Sequence, residues 1–148
     1  MATIFWAGDS TVQYNDILTF PQTGIGQVMN LFLKPEVRVE NHAKNGRSTK
    51  SFIDESRLTP IYDRITAGDF LFIQFGHNDE KTETGRYTSP IGGRDKKGTF
   101  AASLYDNYIK PALDVSCTPI LCTPIVRRTA TGEWTKQELH ITDDAAQF

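Results

Sequence analysis

The run Phe70, Leu71, Phe72, Ile73, Gln74, Phe75, set between Gly68 and Gly76, is the most hydrophobic stretch of the chain. It predicts a central strand buried on both faces, which in turn implies a parallel sheet with helices above and below it. Three other segments fit the same sheet. Residues 4–7 form an apolar run cut off by Gly8, Asp9 and Ser10. Val37, Val39 and Asn41 alternate with charged residues, and Pro119, Ile120, Leu121 and Cys122 make a fourth run closed by Thr123 and Pro124.

Helical spacing fills the gaps between these runs. Ile25, Val28, Met29, Leu31 and Phe32 predict a first helix over 23–33 that packs back on the sheet and ends before Pro35. Its entrance, with Gly24 and Gly26, half matches a dinucleotide fingerprint, but the last glycine is missing and no strand directly precedes it; it is read as a helix entrance. Ser48 and Thr49 can cap a helix over about 50–58, and Pro60 opens a further turn through Ile65. Leu104, Tyr108, Ala112 and Val115 predict a helix over 100–115, with Pro111 either kinking it or opening a second short helix. The order β-α-β-α-β-α-β implies right-handed crossovers in a three-layer α/β/α sandwich. A fifth strand and a closing helix are not evident.

The 148 residues suit one domain with a core large enough to need no disulfide or metal. With a net charge of -2 and no long Lys/Arg block, neither nucleic acid nor an anionic membrane is expected as main partner. No apolar stretch approaches the ~18 residues of a membrane span, and the N-terminus does not read as a signal peptide. The expected setting is cytoplasmic, or secreted with the leader already removed. Cys117 and Cys122, five positions apart in one apolar run, should point to opposite faces of a strand and stay unbonded. His42, His77 and His140 are scattered without zinc-site spacing, so no metal or other cofactor is expected.

In a parallel sheet the loops after the first three strands open at one edge, where α/β folds bind ligands. These loops carry Ser10; Asn45, Gly46, Arg47 and Ser48; and Gly76, His77, Asn78 and Asp79. Acyl transfer needs a nucleophile and donors for the developing oxyanion. Ser10 offers the hydroxyl, and the N–H groups of Ser10 and Gly46 with the Asn78 carboxamide offer the donors. Gly8 is expected to let the backbone turn sharply, and Gly46 to let backbone approach substrate. Asp9 is read either as a brace for the Ser10 turn or as a surface or capping carboxylate. The polar loop 80–98 is long enough to be a lid or binding loop.

The blocks Gly8-Asp9-Ser10, Asn45-Gly46 and Gly76-His77-Asn78-Asp79 resemble the first three blocks of the SGNH, or GDSL-type, esterase superfamily. Together with Thr123-Pro124-Ile125-Val126-Arg127-Arg128 they are similar to its rhamnogalacturonan acetylesterase branch. The resemblance runs over residues 3–128. It implies a flavodoxin-like three-layer fold and hydrolysis of acetyl or other short acyl esters on pectic carbohydrate through an acyl-serine. It makes Ser10 the nucleophile and the Ser10 N–H, Gly46 N–H and Asn78 amide the oxyanion hole. His77 is read as orienting its loop rather than taking the proton, and Arg47 and loop 80–98 as contacts for sugar hydroxyls or carboxylates.

The family's C-terminal Asp-x-x-His block, which supplies the general base and its carboxylate, has no counterpart. Gln137-Glu138-Leu139-His140 comes nearest, with Gln at the Asp position. Either His140 serves as the base or the domain is incomplete at its C-terminus. An incomplete sheet would expose an edge and an apolar face, favouring homo-oligomers. Two further expectations compete with the esterase: a carbohydrate-binding relic of the fold without the base, and, by fold analogy only, a nucleotide or phosphate binder.

Overall fold

The computed structural model describes residues 1–125 of the chain. Four strands, β1 (Thr3–Gly8), β2 (Arg38–Asn41), β3 (Phe70–Gln74) and β4 (Thr118–Leu121), form one parallel sheet in the order β2-β1-β3-β4. The register sets Gly8 opposite Gln74 and Trp6 opposite Asn41. The first three strands therefore end side by side. Strands β2 and β4 are the edges of the described sheet.

Alternation along β1 sorts the core into two layers. Phe5 and Ala7 join Leu71 and Ile73 on one face, where Phe52, Ile61, Leu104, Tyr108 and Ala112 cover them. Full burial of a residue such as Leu71 or Ile73 contributes about 1.5–3 kcal/mol. The covering side chains come from helices α2 (Thr49–Asp54), α3 (Thr59–Tyr62), α4 (Phe100–Leu104) and α5 (Lys110–Asp114), with Tyr108 from the segment between the last two. Ile4 and Trp6 face the other way, toward Val12, Met29 and Leu33. Trp6 packs on Phe72 with ring centroids 4.9 Å apart, and its indole N–H points at the Met29 sulfur.

At the amino ends of the strands, Asp69 accepts the N–H groups of Thr3 and Thr66 through its carboxylate, and the Thr118 N–H through its carbonyl. Three strands are thereby aligned from one side chain and its own backbone. No helix among the described residues is long and apolar enough to cross a membrane.

Several expectations need correction. The helix expected over 23–33 is one α-turn, α1 (Ile25–Val28), followed by a 3-10 turn (Met29–Phe32). Leu31 and Phe32 are 73% and 83% exposed, so only part of this segment packs back on the sheet. Its glycines are there for contact: a Cβ on Gly24 would lie 2.1 Å from the Gln13 carbonyl oxygen, and one on Gly26 2.7 Å from Asn41 Nδ2. The helix after Ser48 stops at Asp54, before Ser56 with φ +56°. Strand β3 is fully buried at Leu71 and Ile73 but only half-buried at Phe70 and Phe72.

The helical stretch from α4 to α5 runs through a π segment (Tyr105–Ile109), where the Lys110 N–H bonds the Tyr105 carbonyl. That wider turn immediately precedes Pro111, which lacks an N–H and would crowd a regular α-turn. Cys117 and Cys122 are both free and pack on opposite faces of the sheet, as their spacing predicts.

Candidate active site

The exit of β1 is a tight turn built around Asp9. The Asp9 carbonyl accepts the N–H groups of Val12 and Gln13, and its carboxylate accepts the Thr11 N–H at 2.9 Å and hydroxyl at 2.8 Å. Asp9 is 1% exposed, which decides its role: it braces the turn from inside. Ser10 stands on that turn, half-buried. Among the described residues neither its hydroxyl nor its backbone N–H has a hydrogen-bond partner. Gly8 does not make the turn by unusual dihedrals. It is required for space, since a Cβ there would meet the Gln74 carbonyl at 2.9 Å and Val12 at 3.0 Å.

The exit of β2 is tied directly to that turn. Lys44 N–H donates to the Gly8 carbonyl at 3.0 Å, and Asn45 N–H to the Gln13 side-chain oxygen at 2.6 Å. Gly46 follows with φ +76°, in the left-handed region where side chains are disfavoured, and the space where its Cβ would stand is open. Its N–H also has no acceptor among the described residues. Arg47 is turned away from a ligand role: it pairs with Glu55 at 3.0 Å and donates to the Asn45 carbonyl.

The exit of β3 is tied to the exit of β2. Asn78 is buried, and its Nδ2 donates to the Arg47 carbonyl at 3.1 Å. Asp79 accepts the Thr49 N–H at 3.0 Å together with the Thr49 and Thr88 hydroxyls. Burial pushes its carboxyl up to about 7 against the pull of those donors, and the Asp9 charge adds to the rise. The first and third exits thus share a buried acidic floor. His77 Nε2 lies 2.7 Å from the Ile125 carbonyl, which can only accept, so this nitrogen carries the proton. That contact fastens the β3 exit to the segment after β4, as does the bond from Gln74 Nε2 to the Thr123 carbonyl.

Two contributions were not foreseen from the sequence. Gln13 bridges the first two exits through one side-chain oxygen. Arg86, in loop 80–98, reaches the Asn78 carboxamide oxygen at 3.3 Å and the Gly46 carbonyl at 3.5 Å. A long polar loop advertises contact with the site, but nothing in its composition selects Arg86 from its other cations. The loop is more ordered than a free lid: Ser89 bridges to Thr99, and Thr88 is buried. Its other side borders a cleft of about 320 Å³ between α2 and α4, lined by Lys50, Asp54, Tyr87, Lys97 and Asp106 among others. His140 and the Gln137 before it lie outside the described residues.

No protein-family model matches the chain. It is 51% identical over 125 residues to rhamnogalacturonan acetylesterase RhgT of Bacillus subtilis (strain 168), covering 84% of this chain and 50% of that protein. The probable rhamnogalacturonan acetylesterase YesY of the same organism is 40% identical over 126 residues, covering 84% and 54%. The rhamnogalacturonan acetylesterase of Emericella nidulans is 36% identical over 96 residues, covering 62% and 35%. The chain therefore spans about half the length of the first two relatives. A crystal structure of the Bacillus subtilis protein YxiM matches with a TM-score of 0.71 at 23% identity, over 94% of this chain and 40% of that one. That likeness concerns the fold. Over the half that it spans, the chain is homologous to rhamnogalacturonan acetylesterases, which belong to the SGNH hydrolase superfamily, and its four-stranded parallel α/β sheet is consistent with that fold.

Proposed function

We propose that this chain carries the nucleophile and oxyanion hole of a serine esterase that removes acetyl groups from pectic carbohydrate such as rhamnogalacturonan. The observation that carries the reading is the stitching of three strand exits at one sheet edge. Lys44 and Asn45 bind the first exit to the second, and Asn78 and Asp79 bind the second to the third. The relatives' names supply the acetyl ester and its carbohydrate.

In the proposed reaction Ser10 Oγ attacks the ester carbonyl carbon and its proton passes to a base. The oxyanion is held by the N–H groups of Ser10 and Gly46 and by Asn78 Nδ2. Collapse expels the sugar oxygen, which takes up the proton, and water then releases acetate from the acyl-serine. Preorganised donors do this work because they need no reorientation as charge develops, and each is worth roughly 10² to 10³ in rate. Asp9 and His77 support the site without touching the ester: Asp9 holds the turn, and His77 holds the β3 exit. The domain assignment, one unit over 1–148, and self-association through an exposed sheet edge belong to the same proposal.

The test is hydrolysis of p-nitrophenyl acetate and acetate release from acetylated pectin fragments, by the parent chain and by Ser10→Ala. Turnover in the parent and none in the variant is the expected result. Equal turnover in both overturns the assignment of Ser10. Saturable binding of the fragments without acetate release would instead mark a binding module that keeps the cleft but does not cleave.

A further inference from the structure

We propose that Arg86 is a positioning residue for the oxyanion hole, setting the rotation of the Asn78 carboxamide and raising its strength as a donor. This rests on the reading of Asn78 as an oxyanion donor. A carboxamide works in that role only with its nitrogen toward the substrate, because the opposite rotation presents an oxygen that repels the oxyanion. In this structure both ends of the Asn78 carboxamide are fixed. Nδ2 spends one hydrogen on the Arg47 carbonyl at 3.1 Å, and Oδ1 faces Arg86 Nη1 at 3.3 Å. Rotating the amide by half a turn would oppose two oxygens at Arg47 and two donors at Arg86. The second Nδ2 hydrogen has no acceptor among the described residues and stays available to a ligand.

The same Arg86 nitrogen lies 3.5 Å from the Gly46 carbonyl, so one cation touches the second and third loops together. Gly46 has no side chain to restrain its backbone and sits in open space, which gives an external hold on its carbonyl a purpose. Arg86 is itself held. Glu83, three residues earlier, receives its Nε at 3.0 Å and its Nη2 on both carboxylate oxygens. The fork geometry leaves Nη1 directed at Asn78 and Gly46, an arrangement that an ammonium cannot reproduce. A cation on Oδ1 also polarises the amide toward a stronger N–H donor, as in other chained hydrogen bonds. Arg86 touches neither the ester nor Ser10 in this scheme, and it acts chiefly through Asn78, with the Gly46 carbonyl as its second contact.

The test combines structure and rate on the full chain. In Arg86→Met, the Asn78 side-chain N–H₂ signals in a ¹H–¹⁵N spectrum should shift and their hydrogen exchange should quicken about tenfold. The kcat for p-nitrophenyl acetate should fall about tenfold or more with KM within twofold, at unchanged thermal midpoint. Arg86→Lys should recover only part of the rate. In an Asn78→Ala background Arg86→Met should have a much smaller effect, what remains reporting its hold on the Gly46 carbonyl. Glu83→Gln, which loosens the holder and leaves the guanidinium in place, should show the same changes at smaller size and covers the case of a misfolded Arg86 variant. Unaltered Asn78 signals in Arg86→Met, or an unaltered kcat where Asn78→Ala abolishes turnover, would overturn the proposal. If the parent chain shows no turnover, or if Ser10→Ala and Asn78→Ala both match it, the esterase reading fails; the Asn78 spectrum then still decides whether Arg86 sets the carboxamide.

Discussion

The Asp79 carboxylate receives the backbone N–H of Thr49, 30 residues earlier, at the first turn of α2. Thr49 in turn offers its carbonyl to the Tyr108 hydroxyl at 2.8 Å. The residue after Asn78 is thus anchored through α2 to the helix that covers the sheet, wholly within the core. This anchor keeps the β3 exit rigid without exposing any of its polar groups to substrate.

Its pH dependence has a definite sign. Burial raises the Asp79 carboxyl from 3.8 to about 7, so the folded state binds this proton more tightly than the unfolded chain does. The stabilisation that follows is fully present below about pH 4 and is lost as pH rises toward 7. Denaturation of the parent and of Asp79→Asn, measured from pH 4 to pH 8, should therefore show the stability gap between them narrowing with rising pH. A gap that widens over this interval would mean that the Thr49 and Thr88 donors outweigh burial.

Asn78 should matter to rate rather than to substrate affinity. With Asn78→Ala we expect kcat for an acetyl ester to fall roughly 10² to 10³, the usual loss for one oxyanion donor, with KM little changed. Steady-state kinetics on p-nitrophenyl acetate decide this. A rise in KM at constant kcat would show that the carboxamide binds the ground state and transition state alike.

Two glycines should respond to alanine for different reasons. At Gly46 the space is open and the strain is in the backbone, so Gly46→Ala should cost about 1 kcal/mol. At Gly26 the backbone is helical, but the new methyl would press on Asn41 Nδ2 and, at 2.9 Å, on the Val12 carbonyl, breaking the 2.7 Å bond between them. Gly26→Ala should cost about 1–3 kcal/mol despite its better helix propensity. Urea unfolding of both variants tests the order of the two losses.

Much of the framework was legible because strands announce themselves as short apolar runs. The run 70–75 marked the centre of the sheet, and the break at Gly8 to Ser10 marked a strand exit. Parallel order then brought Ser10, Gly46 and Asn78 to one edge from spacing alone. Less visible was anything decided by contact between distant segments. The short α1 follows from Gly24 and Gly26 meeting the turn at Val12 and Gln13, which no periodicity encodes. The same holds for Gly8, needed for closeness to Gln74, and for Asp79, whose partners are 30 and 9 residues away. Arg86 was hidden for the opposite reason: a loop with many cations gives no local mark to the one that reaches inward.

The pairing of Gly8 with Gln74 has a kinetic meaning as well. A growing polypeptide must be extended through the whole of β3 before its first strand can acquire its central neighbour, so the turn bearing Ser10 spends synthesis without the support that later fixes it. Closing such wide loops is slow compared with forming local helices. Chemical reactivity at that hydroxyl should therefore emerge late in refolding, behind the helical signal, and serve as a clock for completion of the sheet.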